Sequence, residues 1–268
     1  MRNKYSKLLE ILKSCGSLAV AFSGGVDSAF LLYAAKEALG DSVLALTGKA
    51  EMVPEKEISE ALLFCEKYGI RQRVINLKAL ESEAFVENPP ERCYICKKMI
   101  FEGFLLAAKE EGYDFLAEGS NVDDQGDYRP GLKALKELKI MSPLKEAGLG
   151  KSDIRELSRQ FGLPTWDKPS YACLASRFPY GERISAEKLR MVELAEQFLR
   201  DKGFNQLRVR IHGNIARIEL PSDDFGSFND EKLRIEIYDE FKKLGFAYTA
   251  LDLKGYRSGS MNETLKKE

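Results

Sequence analysis

The segment AFSGGVDSAFLL, residues 21–32, joins an apolar run to a helical segment through a turn of small residues. Residues 17–22 form the apolar run of a short strand, and residues 27–39 have a helical pattern that stops near Gly40. Apolar runs and helical segments go on alternating to about residue 118. This alternation predicts an α/β fold with a doubly wound parallel sheet, which binds ligands at the carboxyl ends of its strands.

The six residues 23–28 have the chemistry of a phosphate-binding loop. Gly24 and Gly25 let the backbone turn with positive φ and come close to a ligand. The backbone N–H groups around Val26 at the helix start then form an anion site, to which Ser23 and Ser28 add hydroxyl donors. The alternative is a tight strand-to-helix turn capped by Ser and Asp side chains.

The acid inside this loop carries a further implication. Asp27 would repel phosphate groups unless a cation lies between them, so its position implies Mg²⁺. The Walker pattern of Gly-x4-Gly-Lys-Ser/Thr is absent from the sequence, so the loop is of another type. Gly119 and Asn121 follow the fourth predicted strand and could complete a nucleotide pocket, although a plain turn explains them equally well.

Charge and hydropathy argue against several classes of protein. Lys and Arg total 41 against 42 Asp and Glu, so no global positive field favours nucleic acid. No apolar run approaches the ~20 residues that span a bilayer, and the N-terminal segment lacks a cleavage site. We therefore expect a cytoplasmic protein with no membrane or nucleic-acid partner. His212 is the single histidine, so acid, base and ligand chemistry falls mainly to other residue types.

The cysteines differ in their surroundings. Cys93 and Cys96 form a C-x-x-C, a spacing that lets two thiolates bind one metal or cluster, or form a redox disulfide. Cys15 and Cys65 lie in helical patterns, and we expect them to pack. An odd number of cysteines in a cytoplasmic chain does not indicate a disulfide framework.

Cys173 lies in an irregular, proline-flanked segment, KPSYACLASRFPYGERIS. Lys168, Arg177 and Arg183 are close in sequence and would favour its thiolate form. A thiol in an enzyme that activates its substrate with ATP suggests sulfur chemistry. The alternative is a buried loop thiol without a chemical role.

The last third of the chain predicts a separate α+β unit. Its segments alternate as helix 185–202, strands 206–212 and 215–220, helix 231–244 and strand 246–252. The predicted organisation is thus a nucleotide-binding domain at 1–165, an active-site linker at 166–184 that carries Cys173, and a substrate-binding or oligomerisation domain at 185–268.

Two arginines in this last part alternate with apolar residues along a predicted strand. Arg208 and Arg210 therefore share one face, and their guanidinium groups could bind a mononucleotide phosphate through paired hydrogen bonds. The alternative is an exposed strand face with ordinary solvated charges.

The loop of residues 23–28 resembles the pyrophosphate loop of the PP-loop ATP pyrophosphatase superfamily. Its members cleave ATP between the α and β phosphates, adenylylate an oxygen and let a nucleophile displace AMP. Nearly the whole chain resembles the LarE-type sulfur transferases of nickel-pincer nucleotide assembly, which serve the cofactor of lactate racemase. The resemblance is carried by five segments, namely FSGGVDSAFL, DYRPG, CLASRFPYGERI, LRVRIHGNIARIEL and GYRSGSMN.

The LarE resemblance implies a specific reaction. ATP and Mg²⁺ would adenylylate a carboxylate of a pyridinium mononucleotide, pyridinium-3,5-biscarboxylic acid mononucleotide, and sulfur would displace AMP to leave a thiocarboxylate. Cys173 holds the position of the cysteine that gives up its own sulfur and becomes dehydroalanine. The resemblance also implies a homo-oligomer, a hexamer. The ATP site would comprise Ser23, Gly24, Gly25, Val26, Asp27, Ser28, Gly119 and Asn121.

The same resemblance implies residues for the substrate and a second metal. Ser176 and Arg177 follow Cys173 closely enough to orient a carboxylate or a leaving phosphate. Glu196, Glu219 and Asp224 match acidic positions that the family uses near substrate or metal, with Asp223 as the alternative to Asp224. The substrate site would comprise Ser176, Arg177, Glu196, Arg208, Arg210 and Glu219.

The C-x-x-C departs from the sacrificial mechanism, which needs one cysteine. Cys93, Cys96 and Cys173 together resemble the cysteines of tRNA-thiolating PP-loop enzymes, where three thiolates hold a 4Fe–4S cluster. Sulfur could thus come from Cys173 or from a cluster. The rival functions are a tRNA thiolase, another adenylylating ligase, or a nucleotide-binding module without turnover; balanced charge disfavours the first.

Overall fold

The computed structural model describes residues 2–126, 131–169, 172–257 and 259–265. Residues 127–130 of DYRPG, residues 170–171 before Cys173, and Ser258 of GYRSGSMN lie outside this description. The chain divides into two compact units. The first comprises Met1–Lys78 and Cys93–Tyr171, and the second comprises Ala79–Arg92 and Ala172–Glu268.

The elements of both units are numbered in chain order. The helices are α1 Arg2–Lys13, α2 Val26–Leu39, α3 Glu55–Lys67, α4 Glu83–Val86, α5 Arg92–Glu110, α6 Gly131–Glu137, α7 Pro143–Glu146, α8 Lys151–Gln160, α9 Ala186–Asp201 and α10 Glu231–Lys243. The strands are β1 Leu18–Ala21, β2 Val43–Lys49, β3 Arg71–Asn76, β4 Leu116–Ala117, β5 Arg208–His212, β6 Ile215–Glu219 and β7 Tyr248–Leu251. Within the described residues, no helix is both long and apolar enough to cross a membrane.

The first unit is built on a parallel sheet with the strand order β3-β2-β1-β4. Alternate residues of one strand enter different cores, because successive side chains point to opposite faces. Val20 packs in a core with α1, α2, α3 and α8, whereas Ala19 packs in a second core with α5. Helices therefore cover both faces of the sheet, and the predicted doubly wound α/β fold is confirmed.

The strand order creates a crevice at the centre of this sheet. From β1 the chain moves outward to β2 and β3 on one side, and later returns to place β4 on the other side of β1. Open α/β sheets bind ligands where the strand order reverses in this way, outside the carboxyl ends of the strands. The segments that follow β1 and β4 are therefore the ones positioned to form a site.

The second unit contains a smaller sheet with the order β5-β6-β7. β5 and β6 form an antiparallel hairpin, and β7 runs parallel to β6. Buried side chains of α9, such as Leu189 and Val192, and of β5, such as Val209 and Ile211, form part of its core. The predicted small α+β unit is present.

Two features of the chain differ from the pattern predicted from sequence. The segment Ala79–Arg92 belongs to the second unit, although it lies between elements of the first. Its hydrogen bonds explain this placement: Gly181 and Ile184 donate backbone N–H groups to the carbonyls of Asn88 and Val86. In addition, the helical pattern of the sequence begins only at residue 96, whereas α5 begins at Arg92, so the whole C-x-x-C lies on this helix.

Candidate active site

The loop between β1 and α2 is a glycine turn at the carboxyl edge of the sheet. Gly24 has a φ of 73°, and a Cβ there would come within 3.5 Å of the Glu57 carbonyl oxygen. The Ser28 hydroxyl accepts the Ser23 N–H at 3.3 Å and lies 3.1 Å from the Ser23 hydroxyl. The N-cap of α2 is Gly25, so no Ser or Asp side chain caps this helix.

Asp27 lies in the first turn of α2, next to this loop. One of its oxygens, Oδ2, accepts a hydrogen bond from the Lys151 ammonium at 2.5 Å. The other oxygen, Oδ1, is buried and has no hydrogen-bond partner. Burial raises the pKa of Asp27, and the Lys151 ammonium opposes this rise. A carboxylate with one unsatisfied oxygen at the edge of a phosphate-binding loop fits the oxygen ligand that Mg²⁺ prefers.

The residues that follow β4 close the other side of the crevice. A Cβ on Gly119 would lie 2.9 Å from the Ser28 backbone nitrogen, so the two segments are in direct backbone contact. The buried Asn121 braces its own turn, because its Oδ1 accepts the Asp123 N–H and its N–H donates to Asp124 Oδ2. The structure thus places Gly119 against the loop, and gives Asn121 contacts within the turn.

Sequence reasoning missed a buried carboxylate at the end of β4. Glu118 accepts hydrogen bonds from the Ser120 N–H and hydroxyl at 3.0 and 2.8 Å, and from the Ser142 hydroxyl at 2.7 Å. These donors fix the turn that carries Gly119. No sequence signal identified Glu118, because a glutamate that ends a strand is common on protein surfaces.

Two lysines border the loop, and sequence reasoning assigned neither of them to it. Lys151 is the first residue of α8, and it pairs with Asp27 across 124 sequence positions. Lys168 donates to the Gly24 carbonyl at 3.1 Å and to Glu57 and Glu60 at 2.9 and 2.6 Å. Burial alone would lower the pKa of Lys168, but the two carboxylates raise it.

The cationic neighbours expected around Cys173 are used differently in the structure. The exposed Arg183 forms a two-point ion pair with Glu83. Lys168 borders the loop of the first unit, where it donates to the Gly24 carbonyl. Arg177 is close to Cys173, where it binds the backbone.

Arg177 is almost fully buried, and it organises the segment that carries the exposed Cys173. Its Nη1 donates to the carbonyls of Ala172 and Cys173 at 2.8 and 3.2 Å, and to the Ser176 hydroxyl at 2.9 Å. Its Nε and Nη2 donate to the two oxygens of Glu196 at 2.7 and 2.9 Å. The guanidinium group therefore positions the backbone of Cys173.

Glu196 is the buried anion at the centre of this arrangement. Burial alone would raise the pKa of Glu196, but Arg177, Arg200 and the Val209 N–H lower it below its usual value. Arg200 contributes a hydrogen bond of 2.8 Å. This carboxylate holds Arg177 in place.

Arg210 and Glu219 form a second buried ion pair on the neighbouring strands β5 and β6. Arg210 donates to Glu219 Oε2 at 3.1 and 2.9 Å, to the Ser260 hydroxyl at 2.9 Å and to the Ser176 carbonyl at 3.0 Å. Arg217 also donates to Glu219, at 3.0 Å. The pair thus ties the segment that follows Cys173 to the sheet of the second unit.

Arg208 is buried as well, so the alternative of an exposed strand face is wrong. Its guanidinium lies over the Tyr256 ring, 5.2 Å from the centroid, and donates to the Leu207 carbonyl at 2.6 Å. Burial and the positive charge of Arg177 lower the pKa of Arg208. Asp224 is only half buried, on the 3-10 segment Ser222–Asn229.

The C-x-x-C lies at the start of α5, where residues three apart share one helix face. Cys93 is exposed and Cys96 is half buried. Cys65 is packed in the first core, as predicted, and Cys15 lies against it. All five cysteines are described, and no disulfide joins any two of them. Throughout the described ranges, no three His, Cys, Asp or Glu side chains are grouped to hold a metal ion.

Comparison with known proteins places this architecture in a family. The NAD synthase family model matches residues 5–95, which contain the phosphate-binding loop. A protein of Synechocystis that is described as uncharacterized is 38% identical over all of both chains. A tRNA-specific 2-thiouridylase of Clostridium botulinum is 29% identical, over 58% of this chain and 53% of its own.

The pyridinium-3,5-bisthiocarboxylic acid mononucleotide synthase of Lactiplantibacillus plantarum is 38% identical, over 100% of this chain and 96% of its own. Its alignment spans both units, whereas the thiouridylase matches only part of the chain. The chain therefore belongs to the LarE-type family of PP-loop proteins, to which this synthase belongs.

Proposed function

We propose that the chain is an ATP-dependent sulfurtransferase. It adenylylates a carboxylate of pyridinium-3,5-biscarboxylic acid mononucleotide, releases pyrophosphate, and converts that carboxylate to a thiocarboxylate. The observation that carries the proposal is the full-length identity of 38% to a synthase of the corresponding bisthiocarboxylic acid, in a chain that contains the loop, Asp27 and Cys173.

The first step uses the crevice of the first unit. The N–H groups at the start of α2 and the hydroxyls of Ser23 and Ser28 bind phosphate oxygens, because a helix N-terminus has unpaired donors and a positive dipole end. Asp27 would hold Mg²⁺ through its unsatisfied Oδ1. The metal supplies charge neutralisation for the phosphates when it is bound. Lys168 adds positive charge beside Gly24.

The second unit supplies a cationic site for the mononucleotide. Arg208 and Arg210 lie on β5 with their guanidinium groups buried, and Arg177 and Arg217 lie in the same network. Glu196 and Glu219 hold the arginines in fixed orientations, which favours recognition of a phosphate by paired hydrogen bonds. We propose this cluster, with Ser176, as the binding site for the substrate phosphate, and Asp224 as a metal-binding side chain of the same unit.

The sulfur step then takes place at Cys173. Its thiolate attacks the carbonyl carbon of the acyl adenylate, and AMP leaves with the electrons of the broken C–O bond. Loss of the Cα proton of Cys173 and cleavage of its Cβ–Sγ bond leave sulfur on the product as a thiocarboxylate. Cys173 becomes dehydroalanine. Arg177 holds the backbone of this residue during the step.

A 4Fe–4S cluster is the other source of sulfur that the sequence suggests. Cys93 and Cys96 suit two ligands of one cluster, because they share a helix face one turn apart. The third cysteine of this hypothesis, Cys173, belongs to the other unit, and we derive no step through a cluster.

Mass spectrometry of the intact protein tests the proposal. Anaerobically purified protein is assayed for iron and sulfide, and then incubated with ATP, Mg²⁺ and the biscarboxylic acid mononucleotide. Loss of about 34 Da at Cys173, with one pyrophosphate and one thiocarboxylate per chain, supports a cysteine donor. Unchanged mass with about four irons per chain and repeated turnover supports a cluster donor. Absence of pyrophosphate release would identify a nucleotide-binding module and refute an enzyme of this class.

Our proposal for the oligomeric state rests on the family resemblance alone. We propose a homo-hexamer, and light scattering coupled to size-exclusion chromatography measures the mass directly. A mass equal to that of one 30.2 kDa chain would reject this assembly.

A further inference from the structure

Lys151 occupies one oxygen of the acid at the phosphate-binding loop. Its ammonium lies 2.5 Å from Asp27 Oδ2, while Asp27 Oδ1 is buried without a hydrogen-bond partner. The backbone of Lys151 is itself anchored, because its N–H donates to Asp123 Oδ2 at 2.7 Å. The Lys151 ammonium therefore pairs with one carboxylate oxygen of Asp27 and leaves the other oxygen without a hydrogen bond.

The other charged groups that face Asp27 are an acid and a guanidinium. The negative charge of Asp124 raises the pKa of Asp27, and the positive charge of Arg155 lowers it. The guanidinium of Arg155 donates to the carbonyls of Trp166 and Lys168 at 2.7 and 2.9 Å. Among the described side chains that act on Asp27, Lys151 is the cation with a hydrogen bond to it.

This ammonium is placed where it can exchange partners. The side chains of Lys151 and Asp27 are 34% and 24% exposed, so the pair lies at the open edge of the crevice. Lysine carries its charge on a flexible four-carbon stem with three rotatable donors, so the ammonium can move while α8 stays fixed. A divalent cation on Asp27 would repel the ammonium, and phosphate oxygens would attract it.

We propose that Lys151 makes metal binding depend on nucleotide binding. In the free enzyme its ammonium pairs with Asp27 and disfavours a bare divalent cation. When Mg²⁺ arrives with ATP, the metal takes the carboxylate and the ammonium moves to the phosphates, where its charge stabilises the bound nucleotide. The two ligands are then coupled through one side chain. This inference rests on the proposed use of ATP and Mg²⁺ at the loop.

The test measures two affinities that we expect Lys151→Met to change in opposite directions. Electron paramagnetic resonance measures the binding of Mn²⁺, the metal probe, in the absence of nucleotide. The binding of α,β-methylene-ATP, the nucleotide probe, is then measured at saturating Mn²⁺. In Lys151→Met, Mn²⁺ alone should bind about 3–10-fold more tightly, because no ammonium has to be displaced. The ATP analogue should bind about 10-fold more weakly, because a charge-assisted hydrogen bond to phosphate is lost.

Lys4 offers a matched control. Its ammonium pairs with Asp153 at 2.7 Å on the same helix α8, at similar exposure, but away from Asp27. Lys4→Met should leave both affinities within about 2-fold of wild type, since an exposed ion pair contributes little beyond local stability. Circular dichroism of both variants verifies that α8 is folded.

Each outcome separates the inference from the proposed function. Tighter Mn²⁺ and weaker analogue binding in Lys151→Met support the exchange. Unchanged affinities, or a parallel loss of both, overturn it and assign Lys151 a structural role. If Asp27→Asn binds Mn²⁺ as tightly as wild type does, or if wild-type protein releases no pyrophosphate, the proposed function itself is contradicted.

Discussion

Gly119 and Ser28 touch through their backbones: a Cβ built on Gly119 would lie 2.9 Å from the Ser28 nitrogen. The two residues come from loops that follow β4 and β1, the strands on either side of the crevice. The position where the chain reverses its strand order is thus also a position where two loop backbones are in contact. This contact places the residue after Glu118 against the turn that we expect to bind phosphate.

Gly119→Ala should impair nucleotide binding more than folding. The added methyl group would press on the Asp27 and Ser28 backbone, displacing N–H groups that we expect to contact phosphate. We expect the KM for ATP in pyrophosphate release to rise at least about 10-fold, as for loss of a positioned donor. Gly103→Ala is the control, because its Cβ would meet only Leu77 at an ordinary 3.7 Å. A Gly119 variant with wild-type KM would show that this contact is unrelated to the site.

Asp27→Asn should abolish pyrophosphate release. The amide removes the negative charge that we expect to hold Mg²⁺, and it leaves the Lys151 ammonium without its anionic partner. Asp41→Asn is the control, since this exposed acid pairs with Lys36 in the same unit. Pyrophosphate assays over a range of Mg²⁺ concentrations make the comparison. Full activity in Asp27→Asn would remove this residue from the reaction.

Arg208→Ala should weaken binding of the mononucleotide by about 10–100-fold, the usual effect of losing a charge-assisted contact to phosphate. Binding of ATP should change by less than about 2-fold, because the loop belongs to the other unit. Isothermal titration with each ligand separates the two effects. Arg190→Ala is a control on the exposed face of α9, where this arginine pairs with Glu193. Equal losses for both ligands would argue against a substrate-specific role.

Glu196 should make the free energy of unfolding depend on pH in the acidic range. Its arginine partners hold its pKa below the ordinary 4.5, so the folded state binds its proton less readily than the unfolded chain. The resulting stability is complete above about pH 4.5 and is lost as the pH falls through the folded pKa. Urea unfolding between pH 7 and pH 3 should show this loss in wild type and a weaker dependence in Glu196→Gln.

The same variant should also be less stable at neutral pH. Removing the charge leaves Arg177 buried with a neutral partner, at a cost of up to about 3–5 kcal/mol in the free energy of unfolding. Glu193→Gln, at a neighbouring but more exposed position on α9, serves as the comparison. Parallel pH curves for wild type and Glu196→Gln would refute the contribution of Glu196 to acid sensitivity.

The sequence determined the parallel α/β unit, the glycine loop at its centre and the separate α+β unit. These features depend on local properties, namely the spacing of apolar residues and the ability of Gly24 to take a positive φ, and such properties are visible in a single chain. The motifs around Asp27, Cys173 and Arg208 were also sufficient to indicate the family.

Tertiary structure alone decided how the charged residues are partnered. Lys151 and Asp27 are 124 positions apart, and Arg210 contacts Ser260 across 50 positions. A charged side chain in a sequence carries no mark of its partner, since most such groups are solvated and only the fold brings two of them together. The same reason explains why the sequence did not reveal that Arg177 holds the backbone of Cys173.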